Sequence, residues 1–408
     1  MKPAVLFILF TVMIDAMGIG LIVPVMPALI QEVRGAEVGF GSAAVWGGIL
    51  ATTFAAMQFL FGPLVGALSD RYGRRPILLV SLVVLALDYL VMAVAGTIWL
   101  LFVGRIVGGI TAATQSTANA YMADISAPED KAANFGLIGA AFGLGFVFGP
   151  VLGGLLAEFG TRAPFYAAAA LAALNAMFGY LVLKETVDDR IRRKFEWRRA
   201  NPLGVFRQLG RLPGLAPLLG VYFLYTVAFN VYPAVWSYYT SERFDWSPGT
   251  IGISLGLFGV SMAVVQGGLI RPIMRWLGER GTVIYGHSVD VLIFVAIAFI
   301  SSGTWLLILV PLAALPAVIT PALQGIMSKA VSDDAQGELQ GALTSIAALA
   351  MIPAPMMLTA TFYAFTDGSA GVYLPGAPFL MSAVLVTFAL VVFLMAQMPA
   401  PSRDLPQR

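Results

Sequence analysis

Twelve apolar runs follow one another along this chain, at 4–30, 43–67, 76–96, 98–122, 133–158, 164–184, 213–240, 249–274, 281–302, 304–328, 339–365 and 376–398. A helix rising ~1.5 Å per residue needs roughly 20 apolar residues to cross a hydrocarbon core of about 30 Å. Each run meets that length. The runs are rich in Leu, Ala and Gly and do not alternate with a period of two, which predicts helices rather than barrel strands. Only 11% of the 408 residues are charged, against about 25% in a soluble domain. Such a chain cannot clothe a water-facing surface, so the sequence predicts an all-α integral membrane protein with 12 transmembrane helices. The first run is too long for a signal-peptide core and lacks a clear A-x-A site. It is expected to remain as the first helix.

An even number of spans places both termini on one side, and the basic residues say which. Of the 24 Lys and Arg residues, 20 lie in the loops and tails on the side of the termini. Three lie opposite, at Arg34, Arg162 and Arg243, and one, Arg105, falls inside a span. The positive-inside rule then predicts cytoplasmic termini. The longest polar stretch, 185–212, carries VDDRIRRKFEWRRANP and divides the chain into two sets of six spans. The expected organisation is a six-helix bundle over 1–184, a basic linker over 185–212, a second six-helix bundle over 213–398 and a cytoplasmic tail over 399–408. A basic linker of this kind is expected to lie near anionic lipid. The halves echo one another weakly: RYGRRP after span two has a partner in RWLGERG after span eight, with Gly73 and Gly278 at matching places.

Charge inside a bilayer is costly and usually faces a cavity, a partner or a pathway. Four ionisable residues fall within spans: Asp15 in span one, Asp88 in span three, Arg105 in span four and Asp290 in span nine. Desolvation favours the neutral form of a carboxyl, which suits proton exchange near neutral pH. Asp15, Asp88 and Asp290 are therefore candidate proton sites. Arg105 stays charged and is expected to orient or discharge a carboxylate. The alternative for these acids is structural, with a carboxylate paired to Arg105 and clamping two helices.

Uncharged polar residues within spans include Gln58, Gln115, Asn119, Asn230, Gln266 and Gln324. They can serve a ligand or simply bond one helix to another. Tyr232, Trp236, Tyr238 and Tyr239 at the end of span seven fit either an aromatic ligand site or an outer interfacial belt. Span five carries Gly145, Gly149, Pro150, Gly153 and Gly154. Small residues at this spacing let a second helix approach closely, and a Pro within the series suggests a bend.

Several chemistries are excluded. The chain has no Cys and one His, His287. Disulfides, thiolate metal sites and thiol catalysis are ruled out, and so is a multi-histidine metal site. The buried acids lie on different spans without a protease signature. No enzyme activity, protein-bound cofactor or nucleic-acid partner is expected.

The chain resembles the major facilitator superfamily, and within it the twelve-span drug/proton antiporters of the tetracycline-efflux type. The loop GPLVGALSDRYGRRP supplies one motif through Gly66, Asp70, Arg71, Gly73, Arg74 and Arg75. The resemblance implies a lock on the cytoplasmic face, in which the Asp caps a helix of the other half and a loop Arg pairs with an acid closing span four, a place that Asp124 fills. IDAMGIGLIVPVMP is similar to the family's opening motif and places Asp15. LDYLVMA and GRIVGGITAAT place Asp88 and Arg105 where the tetracycline pumps need them. GLGFVFGPVLGG, through Gly145, Gly149, Pro150, Gly153 and Gly154, matches the span-five signature of antiporters. PALQGIMS, QGELQGALTS, ERFDWSPGTIGISLGLFG and the position of Asp290 after LGERG extend the likeness into the second half.

The resemblance implies the major facilitator fold, with two six-helix pseudo-repeats. It also implies a proton-coupled antiporter of the bacterial inner membrane that works as a monomer by alternating access. Its substrate would be tetracycline, carried with Mg²⁺ as a chelate, or a related amphipathic drug. Asp15, Asp88, Arg105 and Asp290 would couple protons, and Gln58, Asn119, Asn230 and Gln266 would line a substrate pocket between the halves. Three departures touch the second half: Met262 stands where the pumps often carry a His in span eight, AALPAVITPALQ replaces a glycine run in span ten, and span seven reads YTVAFNVYPAVW. They leave open a multidrug or metabolite carrier, for a sugar or siderophore.

Overall fold

A computed structural model describes residues 3–35, 38–112, 114–127, 130–187, 201, 214–332 and 335–396. The linker assigned to 185–212 lies outside the described residues except for 185–187 and 201, and the tail 399–408 lies wholly outside them. Among the described residues the secondary structure is helical, as it must be where no water is present to satisfy an open backbone.

The helices are α1 (Pro3–Ile22), α2 (Met26–Arg34), α3 (Phe40–Tyr72), α4 (Arg74–Val94), α5 (Ile98–Thr111), α6 (Thr114–Ile125), α7 (Lys131–Leu156) and α8 (Ala163–Val182). After the linker come α9 (Ala216–Phe229), α10 (Val231–Phe244), α11 (Pro248–Val264), α12 (Ile270–Phe299), α13 (Gly303–Leu309), α14 (Ile319–Lys329), α15 (Gln336–Ala350), α16 (Pro353–Ala364) and α17 (Ala377–Met395). The chain divides into two units, Met1–Pro202 with Asp245–Gly256, and Leu203–Phe244 with Leu257–Arg408.

Eleven helical stretches among the described residues are long and apolar enough to cross a membrane. The twelve predicted runs reduce to eleven because Pro248–Phe299 is one helical stretch of 52 residues. At ~1.5 Å per residue it is about twice as long as a bilayer core requires, so it holds two spans. They part at Gly278, where φ is 66° and ψ is 174°. Gly73, at the corresponding place in the first half, has φ 116° and separates α3 from α4. Both conformations disfavour a side chain, which explains glycine at each.

Several predicted single helices are broken. The first and fourth spans of each half are interrupted: at 23–25 between α1 and α2, after Ala112 between α5 and α6, at Asn230 between α9 and α10, and by a 3₁₀ segment, Leu312–Val318, between α13 and α14. Another break precedes Pro353, and a π-helical turn, Val265–Leu269, joins α11 to α12. Proline accounts for part of this: Pro24 and Pro27, Pro311 and Pro316, and Pro353 each remove a backbone donor.

Each unit has its own apolar core. In the first, Phe7, Ile8 and Val12 of α1 pack with Leu78 and Leu82 of α4 and Tyr121 and Met122 of α6. In the second, Leu218 and Val221 of α9 pack with Leu323 and Met327 of α14, Leu339 and Leu343 of α15 and Phe393 of α17. Helix α4 shows the inverted logic of a membrane protein. It exposes Val80, Val83, Leu87, Leu90 and Val94 along one stripe and buries Ser81 and Asp88. An apolar outer face with polar groups inside suits lipid as solvent.

Candidate functional site

Asp88 lies on α4 with its side chain 1% exposed and pairs with Arg105 of α5. Two glycines on α5 shape the slot that receives it. A Cβ on Gly104 would stand 2.9 Å from Asp88 Oδ1, and one on Gly108 would stand 2.8 Å from Oδ2. The spacing GRIVGG therefore brings the carboxylate against the bare backbone of α5 while Arg105 reaches it from the same helix. The guanidinium also donates to Met92 Sδ at 2.8 Å and sits 5.1 Å from the Phe54 ring centroid. Asp88 Oδ1 and Arg105 Nε have no hydrogen-bond partner among the described residues.

Tyr89 extends this cluster to α1. It interacts electrostatically with Asp15, Asp88 and Arg105, and its ring lies against Gly18. Asp15, Asp88 and Arg105 are thus gathered in the first unit, whereas Asp290 belongs to the second. Tyr89, Gly104 and Gly108 escaped the sequence reading. The two glycines stood in a quoted motif, but nothing in it disclosed that they flank a carboxylate.

The glycines of α7 serve close helix contact. A Cβ on Gly145, Gly149 or Gly153 would run into the backbone of Met13, Met17 or Leu21, so α7 follows α1 at backbone distance from Met13 to Leu21. Gly154 and Pro150 meet the start of α11, at Pro248 and Gly252. Helix α7 runs from Lys131 to Leu156 past Pro150, which itself has no N–H to give.

The loop between α3 and α4 forms a polar knot. Arg74 pairs with Asp70 one turn back and with Asp124 at the end of α6, at 3.3 Å. Arg75 donates to the Tyr180 carbonyl at 2.8 Å, and Arg71 lies over the Tyr72 ring at 5.2 Å. Nothing lies within 4 Å of a Cβ placed on Gly66. Glu185, not singled out from the sequence, caps α4: its carboxylate accepts from the backbone N–H of Arg74 at 2.9 Å and of Arg75 at 3.2 Å. A carboxylate at a helix N-terminus satisfies free donors and opposes the helix dipole. Thr186 adds a hydrogen bond to Asp124 at 3.0 Å.

The residues expected around a substrate divide between the units. In the first, Gln58 of α3 donates to the Ala112 carbonyl at 3.2 Å, at the break between α5 and α6. Among the described residues, Asn119 of α6 has a buried Oδ1 without a partner, and so has Gln115 at its Oε1. In the second, Asn230 is buried at the break between α9 and α10 and donates to the Thr226 carbonyl at 2.9 Å. Gln266 is exposed within the π-helical turn. Three of these residues therefore mark irregular backbone, where a spanning helix offers free polar groups.

Tyr232, Trp236, Tyr238 and Tyr239 form neither of the expected arrangements in full. All four are buried. Tyr232 packs on Phe258 at 4.9 Å and on Phe294 at 5.8 Å, and Tyr239 packs on Phe379 at 5.0 Å. They are core of the second unit rather than an outer belt. Periodicity alone could not distinguish these positions, because an aromatic at a helix end suits an interface or an interior equally. Among the described residues no cluster of three or more His, Asp or Glu is placed to hold a metal ion.

The profile described as Major Facilitator Superfamily matches residues 8–355. The class C tetracycline resistance protein of Escherichia coli is 41% identical over 361 residues, covering 88% of this chain and 90% of that protein. The class G tetracycline resistance protein of Vibrio anguillarum is 39% identical, covering 90% and 92%. Among solved structures, the human organic anion transporter MFSD10 superposes with a TM-score of 0.71 at 26% identity, covering 96% of this chain and 99% of that one.

Proposed function

Because this chain belongs to the Major Facilitator Superfamily, we propose that it is a proton-coupled antiporter exporting tetracycline, or a related amphipathic drug, across the bacterial cytoplasmic membrane. It is a transporter, not an enzyme. The observation that carries the substrate is its 41% identity, over 90% of the relative's length, to a tetracycline resistance protein. In this reading the drug travels as a chelate with Mg²⁺, and the ion is cargo rather than a resident cofactor. The charge distribution supports cytoplasmic termini, with 20 of 24 basic residues on their side.

The chemistry assigned to Asp88 follows from its slot. A carboxylate beside a permanently charged guanidinium makes a neutral pair. Protonating Asp88 breaks the pair's charge balance and frees Arg105, so the proton changes which state of the unit is favoured. Asp15 shares the same cluster through Tyr89. Binding is reciprocal: a drug that prefers the deprotonated carrier must expel its proton, and a proton must expel the drug. Gln58, which bonds to the break at Ala112, Asn119 of α6, and Asn230 and Gln266 at irregular turns of their own helices, offer hydrogen bonds to the drug. The knot of Asp70, Arg74, Asp124 and Glu185 holds the cytoplasmic ends of α3, α4, α6 and α8 as one body, the part a latch needs. The carrier works as a monomer by alternating access.

The test is proton movement in energised inside-out vesicles. Adding tetracycline with Mg²⁺ is expected to release protons from vesicles containing the protein and not from empty ones. Silence with tetracycline and release with another amphipathic drug would reassign the substrate. Silence across a drug panel, with the protein inserted, would overturn drug antiport in favour of a metabolite.

A further inference from the structure

Arg75 stands in the first turn of α4 but takes no part in the ion pairs beside it. Among the described residues, Arg74 holds Asp70 and Asp124, whereas the Arg75 guanidinium makes one hydrogen bond, to the Tyr180 carbonyl of α8, and no ion pair. Its Nε is buried and has no partner there. The guanidinium lies 5.4 Å from the centroid of the Tyr180 ring, a side chain that is 66% exposed. Lys184, just beyond the end of α8, is exposed and pairs with no carboxylate among the described residues. Its neighbour Glu185 reaches the Arg75 backbone N–H at 3.2 Å, which sets Lys184 at the same end of the unit. The nearby acids are already engaged: Asp70 and Asp124 with Arg74, and Glu185 with backbone N–H groups of α4 and of Thr186 and Val187.

These two cations head an apolar face made by two helices. Helices α4 and α8 pack along one another. They close up at Gly179, where a Cβ would stand 3.0 Å from Leu79 Cδ2. On α4, Val80, Val83 and Leu87 recur every three or four residues and are exposed, and on α8 Met177 and Leu181 are exposed at the same spacing. From Pro76 to Leu87 is about 16 Å at the α-helical rise, the depth of one leaflet of the hydrocarbon core. Tyr180 stands between the cations and this face, at the level where aromatic side chains meet lipid headgroups. Its ring holds the Arg75 guanidinium there by a cation–π contact. Any lipid-facing helix offers apolar side chains; this face adds unpaired cations at its head.

We propose that the face shared by α4 and α8 binds one anionic phospholipid, of the phosphatidylglycerol type, from the leaflet on the side of the termini. Its phosphate bridges Arg75 and Lys184, its glycerol lies at Tyr180, and an acyl chain follows Val80, Val83 and Leu87. Charge complementarity selects this occupant. A phosphatidylglycerol headgroup brings one negative charge to two unpaired cations. A zwitterionic headgroup brings a further cation, and Asp70, Asp124 and Glu185 are not free to receive it. A second copy of this chain docked by two-fold symmetry would present the same cations to the same face. The bound phosphate neutralises Arg75 and steadies the first turn of α4 beside the Glu185 cap. The site stands whichever drug the carrier moves.

Native mass spectrometry of the full-length protein in detergent, titrated with dioleoyl phosphatidylglycerol, is the test. One phosphatidylglycerol is expected to stay bound at concentrations where dioleoyl phosphatidylcholine does not. Each cation near an anionic lipid contributes about fivefold in affinity. Arg75→Gln combined with Lys184→Gln is therefore expected to weaken retention about 25-fold. Arg271→Gln combined with Arg275→Gln removes the same charge from exposed positions of the second unit and is expected to leave retention unchanged. If the first double variant does not fold, Lys184→Gln alone, at an exposed side chain, is expected to show the single fivefold step. Dihexanoyl phosphatidylglycerol, with the same headgroup on short chains, is expected to bind more weakly, and glycerol phosphate is expected not to compete. Equal retention of phosphatidylcholine, or undiminished retention in the Arg75 and Lys184 variants, would overturn the proposal. So would displacement by glycerol phosphate, which marks a soluble anion site, or a lipid-free dimer, which marks a second copy as the occupant.

Discussion

Gly149→Ala and Gly143→Ala add the same methyl group to the same helix and are expected to have opposite effects. A Cβ on Gly149 lands 2.6 Å from Met17 O, 2.9 Å from Gly20 Cα and 3.1 Å from Met17 Cα. All three atoms are α1 backbone and cannot rotate aside. Ordinary contact between such atoms is about 3.5–4 Å, so α1 and α7 must part locally by up to about 1 Å. Overpacking of this kind costs about 1–3 kcal/mol. Replacing glycine within a helix returns about 1 kcal/mol. The net for Gly149→Ala is a loss of about 0–2 kcal/mol. Gly143 is exposed and has nothing within 4 Å of its Cβ, so Gly143→Ala keeps the gain of about 1 kcal/mol. Thermal unfolding of the two purified variants beside the wild type measures the difference. Gly149→Ala melting at or above Gly143→Ala would refute the close seam between α1 and α7.

Other expectations follow from the same geometry. Asp88→Asn leaves Arg105 without its carboxylate, a change that costs about 3–5 kcal/mol when a buried pair is broken. It is expected to abolish uphill export from vesicles while the protein still inserts, and retained proton-driven export would sink the proton role. Gly104→Val puts methyl groups where Asp88 Oδ1 now lies. It is expected to lower export more than Gly62→Val, whose position is open, and equal activity of the two would remove the slot argument. Glu185→Ala strips the cap from α4 and is expected to lower stability by about 1 kcal/mol, read as a fall in melting temperature that Glu185→Asp partly restores. Asp367, in the loop before α17, is held below the usual carboxylate range by the Ser369 hydroxyl and backbone N–H. Its contribution to stability is therefore present above about pH 4 and lost as pH falls further. Asp367→Asn should flatten that acid limb of the melting curve.

Much of the architecture was legible because a bilayer leaves little freedom. Length and apolarity fixed where helices run, since only closed hydrogen bonding survives in lipid. Gly73 and Gly278 were visible as a matched pair before their positive φ was known. Asp15, Asp88, Arg105 and Asp290 stood out because charge is rare in a span, whatever its neighbours. Family motifs likewise drew Asp124 and the loop arginines into one frame, and the ion pair of Arg74 with Asp124 lies within it.

Tertiary structure decided what touches what. Gly104 and Gly108 resemble any small residues on a packed helix until α4 brings a carboxylate between them. Glu185 is distant in sequence from the helix it caps, and Tyr89 is an ordinary aromatic until the fold brings Asp15 of α1 within its electrostatic reach. The break at Ala112 carries no proline, so local propensity did not announce it, whereas Pro233 in the first turn of α10 removes the donor that would have bonded back across Asn230. Most clearly, His287 and Asp290 were already three residues apart in the sequence. That the ring nitrogen of one and the carboxyl oxygen of the other both lack partners among the described residues depends on the neighbouring helices closing around them. Sequence determines which groups are present and how they are spaced along one helix; burial and free hydrogen-bonding capacity belong to the assembly of many helices.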